Sequence, residues 1–163
     1  EVVWELIDES PDVLPVLLRF FRDRLIDRLI ATSPLFAPFD GEESHQLAAR
    51  FQFLELTSGS ELVHEGERAQ GLYIVLLGRC EVHMARAGGM VATLGPGDLV
   101  GEISLLTHGK ATATVTAVTP VWALAMPRHV FQEVILTHPQ VLIYVNDVAE
   151  QRRSADNSRI DMI

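Results

Sequence analysis

The residue types most able to do chemistry lie together in one segment, GPGDLVGEISLLTHGKATATV, which spans residues 95–115. Gly101 permits a tight backbone turn, and residues 102–107 are predicted to form one short helical turn. The start of such a turn presents unpaired N–H groups and a partial positive charge, which suit a phosphate. Glu102 would repel that phosphate unless its carboxylate accepts a hydrogen bond from another group, such as a sugar hydroxyl. A plain loop between two strands would show the same spacing.

Catalytic and metal-binding chemistry finds little support elsewhere in the chain. No His-x-His or His-x-x-x-His pair occurs among the six histidines, which are His45, His64, His83, His108, His129 and His138. A cupin-type metal enzyme, the main catalytic alternative, generally needs a His-x-His strand with a glutamate, and His83 stands alone. Ser104 and His108 have helical i,i+4 spacing but no acidic partner. We therefore expect no enzymatic activity, no metal site and no cofactor.

Composition restricts the partners of the chain. The 163 residues include 13 basic and 22 acidic residues, for a net charge of −9, and no run is rich in lysine or arginine. Such a charge repels the nucleic-acid backbone, so we expect no direct nucleic-acid partner. No apolar run reaches the ~18 residues that a membrane span needs. The single cysteine, Cys80, excludes an internal disulfide and suits the reducing cytoplasm.

Short apolar or alternating runs, separated by turn-forming residues, dominate the middle of the chain. There are eight such runs, at 51–56, 61–64, 72–77, 80–85, 91–94, 99–103, 112–118 and 121–126. Short strands with turn signals every 8–12 residues or so are typical of an antiparallel sandwich or barrel. We predict a mainly β fold, an antiparallel double-stranded β-helix (jelly-roll) barrel, with N-terminal helices and C-terminal lid helices.

Helices are predicted on both sides of the strand region. Apolar residues recur every three or four positions across 14–29, which is the stripe of an amphipathic helix. Asp40 and Glu43 have the spacing of a capping box at the start of a second helix. Helical patterns return after Pro127, and the polar tail at 152–163 is predicted to fray.

The two ends of the chain resemble each other. Pro11-Asp12-Val13-Leu14 matches Pro139-Gln140-Val141-Leu142 at an offset of 128 residues (from 11 to 139), and Arg24 falls on Arg152. An offset close to one domain length indicates a tandem repeat, and chance similarity of two amphipathic helices is the alternative. The predicted division is a helical segment at 1–30 that closes a preceding copy, a domain at 31–151, and a tail at 152–163.

Several motifs recur in the order found in one known family. They are Pro34-Leu35-Phe36, Glu65-Gly66-Glu67, the run at 71–78, Leu94-Gly95-Pro96-Gly97-Asp98 and the glycine-containing segment at 101–115. In these motifs the chain resembles the cyclic nucleotide-binding domain family, which includes the catabolite activator protein and the regulatory subunits of protein kinase A. The resemblance covers roughly residues 30–150 and implies the jelly-roll fold.

The resemblance also implies a role for each residue of the binding segment. It implies that Glu102 binds the ribose 2′-hydroxyl of a cyclic nucleotide. Backbone N–H groups of Gly101, Ile103 and Ser104 would hold the cyclic phosphate, and Ala113 would donate one more backbone N–H to it.

This chain departs from the family at the arginine that pairs with the phosphate. That residue should stand two positions before Ala113, where the chain has Ala111, which lacks the charge and the bidentate fork of arginine. Lys110 is a candidate substitute, although on a strand its side chain would point to the opposite face. Thr112 stands where members that favour cGMP often carry threonine, and a β-branched residue is also common in any strand.

We therefore predict a ligand-sensing regulatory module that binds cAMP or cGMP with reduced affinity and transmits occupancy through its C-terminal helix. Loss of a charged contact costs on the order of 2–5 kcal/mol, roughly 30- to 4000-fold in affinity. The alternative is a degenerate copy that binds no nucleotide and serves as an interaction domain. Expected partners are a cyclic nucleotide, other domains of the same parent chain, and a second copy through the helices.

Overall fold

Eight antiparallel strands form two four-stranded sheets in the computed structural model, which describes residues 13–160. The strands are β1 (Gln52–Leu56), β2 (Glu61–Val63), β3 (Gly71–Leu77), β4 (Cys80–Met84), β5 (Gly89–Leu94), β6 (Leu99–Val100), β7 (Thr114–Ala117) and β8 (Val121–Pro127). One sheet has the order β1-β8-β3-β6, and the other has the order β2-β7-β4-β5. The predicted jelly-roll class is confirmed.

Strand β3 shows how the sequence pattern builds two hydrophobic layers. Successive side chains of a strand point to opposite faces of the sheet. Leu72 and Ile74 join the cluster that packs under the helices, whereas Val75 joins the cluster between the two sheets. Because both faces of this strand are covered, its sequence is an almost continuous run of apolar residues.

Five helices flank the barrel among the described residues. They are α1 (Val13–Thr32), α2 (Gly41–Ala48), α3 (Glu102–Thr107), α4 (Arg128–Thr137) and α5 (Pro139–Ile160). The predicted capping box at the start of α2 is present, because the Asp40 carboxylate accepts from the Glu43 N–H at 2.9 Å and Glu43 accepts from the Asp40 N–H at 3.2 Å. Within residues 13–160, no helix is both long and apolar enough to cross a membrane.

The apolar stripe of α1 is buried only at its C-terminal end. Leu29 is buried in the core, and Leu25 packs against the same cluster. Towards the other end, Leu14 and Phe21 are 40% and 54% exposed. The stripe predicted a helix correctly, but the first half of that helix covers little of this barrel.

The predicted tail at 152–163 is wrong as far as Ile160, because α5 continues to that residue. No glycine or proline interrupts 140–160, and Glu, Gln, Arg and Ala in this stretch favour helix. Side-chain contacts of Arg152, described below, hold this half of the helix to the barrel. Helix α5 therefore continues past residue 151.

The tandem interpretation of 1–30 stays a prediction. Residues 1–12, which carry half of the repeat motif, lie outside the described residues. Of the part that is described, the C-terminal half of α1 packs on this domain, with Ile26, Leu29 and Ile30 in or against its core.

Gly71 gives a test of the packing between β3 and β8. A Cβ atom built there would lie 2.3 Å from the backbone carbonyl oxygen of Met126, which cannot move without disturbing the sheet. We expect Gly71→Ala to lower the free energy of unfolding by about 1–3 kcal/mol. Gly95→Ala is the matched control, since its Cβ would meet nothing within 4 Å. Urea denaturation measures both, and equal midpoints for the two variants would contradict this packing.

Candidate functional site

A cavity of about 260 Å³ lies between the second sheet, helix α3 and the second half of α5. Its walls are mostly apolar, and its polar groups come from α3, the segment before β7, and α5. The lining residues are Val63, Val82, Val91, Ala92, Leu94, Val100, Gly101, Glu102, Ile103, Ser104, Ala111, Thr112, Ala113, Val115, Gln151, Arg152, Ala155 and Asp156. Six of the seven residues predicted from the sequence line this one cavity.

The turn from β6 into α3 depends on Gly101. Its φ is +90°, a conformation that suits glycine, and an added Cβ would lie 2.5 Å from the Gly71 carbonyl oxygen. Because the backbone turns here, β6 ends at Val100 and Ile103 belongs to α3 instead of the predicted run at 99–103. The first N–H groups of α3 have no acceptor within the helix and are available at the edge of the cavity.

Glu102, the first residue of α3, is 2% exposed. Its carboxylate accepts a hydrogen bond at 2.8 Å from a guanidinium nitrogen of Arg152 on α5. The same nitrogen donates to the Leu99 carbonyl oxygen at 2.6 Å. A carboxylate so removed from water needs a charged partner, and Arg152 supplies it.

The prediction for Ser104 concerned its backbone N–H group, but its side chain also makes hydrogen bonds that hold the fold together. Its hydroxyl accepts from the Ala69 N–H at 3.0 Å and donates to the Gly109 carbonyl at 2.7 Å. Arg128, at the start of α4, donates to the Ala69 carbonyl at 2.9 Å. These bonds tie α3 to the loop before β3 and to the junction at the base of α4.

Ala111 is buried at the cavity wall, and its backbone is fixed by the Glu65-Gly66-Glu67 turn. The Ala111 N–H donates to the Glu67 carbonyl at 2.7 Å, and its own carbonyl accepts from the Gly66 N–H at 2.9 Å. The cavity side of this position carries only a methyl group. The substitute cation that the sequence offered, Lys110, is exposed and is not among the residues lining the cavity.

Thr112 and Ala113 line the cavity, as predicted, but they precede β7 instead of belonging to it. The strand begins at Thr114, whose hydroxyl accepts from the Glu65 N–H at 3.0 Å. The strand geometry used to predict the direction of the Lys110 side chain therefore does not apply here.

Arg152 is the site residue that sequence reasoning missed, since it was assigned to the tail. The sequence did contain a pattern that points to this residue. Val141, Val145 and Ala149 are buried at helical spacing, and Arg152 is three residues further along the same face. Among the described residues that line the cavity, Arg152 is the one lysine or arginine, and the acidic ones are Glu102 and Asp156.

Two titratable groups outside the cavity lining have raised pKa values. Burial raises the pKa of the Tyr144 hydroxyl on α5 and outweighs the opposing effects of Ser33 and Arg152. Burial also raises the pKa of the Cys80 thiol, so this cysteine is an inert core residue at neutral pH. Within residues 13–160, no three histidine, cysteine or acidic side chains come together as a metal site.

Comparison with known proteins agrees with this geometry. The family model for the cyclic nucleotide-binding domain matches residues 53–138, which run from β1 to the end of α4. The chain belongs to the cyclic nucleotide-binding domain family. The matched range includes residues 101–113, most of which line the cavity.

Similar proteins of different kinds contain this domain. The cyclic AMP receptor protein of Thermus thermophilus is 30% identical over 134 residues, 80% of this chain and 62% of that protein. A lysophospholipase of Chaetomium globosum is 30% identical over 107 residues, 64% of this chain and 7% of that enzyme. The chain spans less than two thirds of these relatives, and the part it matches in the lysophospholipase is this domain-sized segment.

Solved structures share the architecture. The catabolite activator protein of Thermus thermophilus has a TM-score of 0.70 at 30% identity and covers 80% of this chain and 62% of its own. The N-terminal domain of a Streptomyces coelicolor transcriptional regulator has a TM-score of 0.62 at 34% identity and covers 80% of this chain and 95% of its own. A triple variant of a cAMP-independent kinase regulatory subunit from Trypanosoma brucei, bound to cAMP, has a TM-score of 0.67 at 25% identity, over 80% of this chain and 51% of its own.

Ser104 gives a test of how α3 is held. Ser104→Ala removes the acceptor of the Ala69 N–H and the donor to the Gly109 carbonyl, in a buried setting. We expect a loss of roughly 1–3 kcal/mol in the free energy of unfolding. The exposed Ser154→Ala on α5 is the control and should change it by less than about 0.5 kcal/mol. Thermal and urea denaturation measure both, and a Ser104→Ala protein as stable as the control would contradict this role.

Proposed function

We propose that this chain is a regulatory module that binds a cyclic nucleotide with reduced affinity and signals its occupancy through the position of helix α5. One observation carries the proposal. The carboxylate of Glu102 is buried at the start of α3, beside a cavity that α5 covers. A polar acceptor placed in an otherwise apolar cavity fits a ligand with a hydroxyl-bearing sugar and a compact anionic group.

The proposed contacts follow the order of the residues around the cavity. Glu102 accepts hydrogen bonds from the sugar hydroxyls. The backbone N–H groups of Gly101, Ile103, Ser104 and Ala113 hold the cyclic phosphate, because helix and loop amides bind anions without a full positive charge. Thr112 contacts the base. No step of this proposal is catalytic.

The reduced affinity follows from Ala111. The cavity wall at this position offers a methyl group instead of a guanidinium, and the charged side chains that line the cavity carry one positive and two negative charges. A phosphate entering this site loses a charge-assisted contact worth on the order of 2–5 kcal/mol.

Signalling requires that ligand binding change the position of a movable element. Helices α4 and α5 follow β8 through Pro127, and the Arg128 N–H donates to the Gln70 carbonyl at 3.0 Å, which fixes the start of α4. The part of α5 that touches the cavity is therefore far along the chain from its fixed end. A ligand shifts this equilibrium only by its differential affinity for the two helix positions.

The output of the module is proposed to reach other domains of the parent chain or a second copy through the helices. Half of α1 exposes apolar side chains that suit such a contact, namely Leu14, Val16, Leu18, Phe20 and Phe21. The module is proposed to work in the cytoplasm, whose reducing conditions suit its single buried cysteine, Cys80.

A second candidate function is an interaction domain that binds no nucleotide. It is favoured by the hydrogen bond from Arg152 to Glu102, which already satisfies the carboxylate that a sugar would need. The two candidates differ in the behaviour of the unmodified chain: millimolar cAMP and cGMP give heat of binding in the first case and none in the second.

Restoring the missing charge is the test of the proposed function. We expect Ala111→Arg to tighten binding of cAMP or cGMP by roughly 30- to 4000-fold, as measured by calorimetry. Ala111→Gln, with a long uncharged side chain, should not reproduce the gain. Lys110→Ala is a further control and should leave the affinity unchanged, because Lys110 is exposed outside the cavity lining.

Each outcome of this titration is informative. Binding by the unmodified chain together with a gain in Ala111→Arg supports a weakened sensor. No binding by the unmodified chain and a gain in the variant supports the degenerate copy. No binding by either would contradict a nucleotide site, and a loss of about tenfold or more in Lys110→Ala would assign the phosphate contact to Lys110.

A further inference from the structure

The first half of α1 carries an apolar surface that this barrel leaves open. Val16, Phe20 and Phe21 are 68%, 54% and 54% exposed, whereas the second half of the helix packs on the core. Arg19 is the one charged residue in the stretch 13–21. A contiguous apolar surface of this kind marks a site of contact with another folded surface.

The pair of helices that closes this domain has the same apolar pattern, 128 residues further along the chain. Nine side chains of α4 and α5 are buried or pack against the core, and they are Val130, Phe131, Val134, Ile135, Val141, Tyr144, Val145, Val148 and Ala149. All nine counterparts are apolar, namely Val2, Val3, Leu6, Ile7, Val13, Val16, Leu17, Phe20 and Phe21. The first four of these counterparts lie outside the described residues and are compared by sequence alone.

The exposed positions of the same two helices have a different pattern. Their counterparts are mostly charged residues or prolines, as in the pairs Asp147 with Arg19 and Glu150 with Arg22. The register also continues without a gap through the boundary between the helices, where Pro139 begins α5 and corresponds to Pro11. Two unrelated amphipathic helices would share a spacing within one helix, but not a register kept across a helix boundary.

We propose that the first half of α1 closes a preceding domain of this same fold in the parent chain. The α1 face, which consists of Val13, Val16, Leu17, Phe20 and Phe21, then packs on the barrel of that domain. Its contacts are those that the matching face of α5 makes in this one. Helix α1 thus belongs to two domains, because its second half packs on the core described above.

The offset also fixes where the partner barrel lies in the parent chain. A repeat of 128 residues places it in the roughly 100 residues before Glu1. That segment should carry short alternating runs separated by turn residues, like residues 51–126 here. A preceding segment without this pattern would overturn the proposal.

Hydrogen exchange followed by mass spectrometry tests the covered face. The 163-residue chain is compared with the parent chain extended upstream by one repeat. Amides at 13–21 should exchange about tenfold or more slowly in the extended chain, and those at 25–30 should exchange equally in both. Peptides from β3 and β8 report whether this barrel is folded. Equal exchange at 13–21 in the two chains would overturn the proposal.

Two neighbouring leucines give a matched pair of variants in the extended chain. Leu17 corresponds to Val145, which is 0% exposed, whereas Leu18 corresponds to the exposed Asn146. We expect Leu17→Asn to remove most of the protection at 13–21 and Leu18→Asn to leave it in place. Leu17→Val, which introduces the residue found at the matching position of α5, should also keep it. An equal loss in both asparagine variants would contradict the assigned face.

A second copy of this chain is the competing occupant of the α1 face. Sedimentation equilibrium of the 163-residue chain distinguishes the two, and a monomer with fast exchange at 13–21 supports the proposal. A dimer that protects 13–21 and that Leu17→Asn dissociates would overturn it. Nucleotide binding plays no part in these measurements, so failure of the proposed function leaves their interpretation unchanged.

Discussion

The nearly complete burial of the Glu102 carboxylate is the constraint on which the rest of the site depends. A charge held out of water must keep a charged or hydrogen-bonding partner, and the backbone around it is fixed by a left-handed glycine and by strand β3. The partner comes from outside the barrel. Helix α5 provides it through Arg152. The interaction thus joins the first turn of α3 to the second half of α5.

The barrel and the helices contribute different kinds of contact to the site. Close backbone approaches at Gly71 and Gly101 leave no room for a side chain at either position, so β3 and the turn into α3 are closely packed. The hydroxyl of Ser104 and the guanidinium of Arg128 extend this fixed region to the base of α4. Between residues 150 and 158 no apolar side chain is buried. The cavity's one lysine or arginine, among the described residues, lies on this last stretch instead of on the barrel.

Local sequence patterns predicted most of the fold, and long-range contacts account for what they missed. Short apolar or alternating runs, separated by turn residues, located all eight strands. The spacing of Asp40 and Glu43 located the start of a helix. Both signals depend on residues only a few positions apart. The end of α5 was missed because residues 152–160 are polar, and what holds them is an ion pair across 50 positions of sequence. The family motif identified Glu102, Thr112 and the cavity backbone, but not that Arg152 partners Glu102 or that Lys110 lies in an exposed loop. Neither fact follows from spacing along the chain.

The central claim is that a cyclic nucleotide binds at the first turn of α3 beside Glu102. Titration of the ¹⁵N-labelled chain with cAMP and with cGMP, monitored by amide chemical shifts, tests it most directly because the method detects weak binding. The account predicts saturable shifts that are largest at Gly101, Ile103, Ser104 and Ala113, with smaller ones along the second half of α5. No shifts at millimolar nucleotide, or shifts scattered over surfaces away from the cavity, would contradict it.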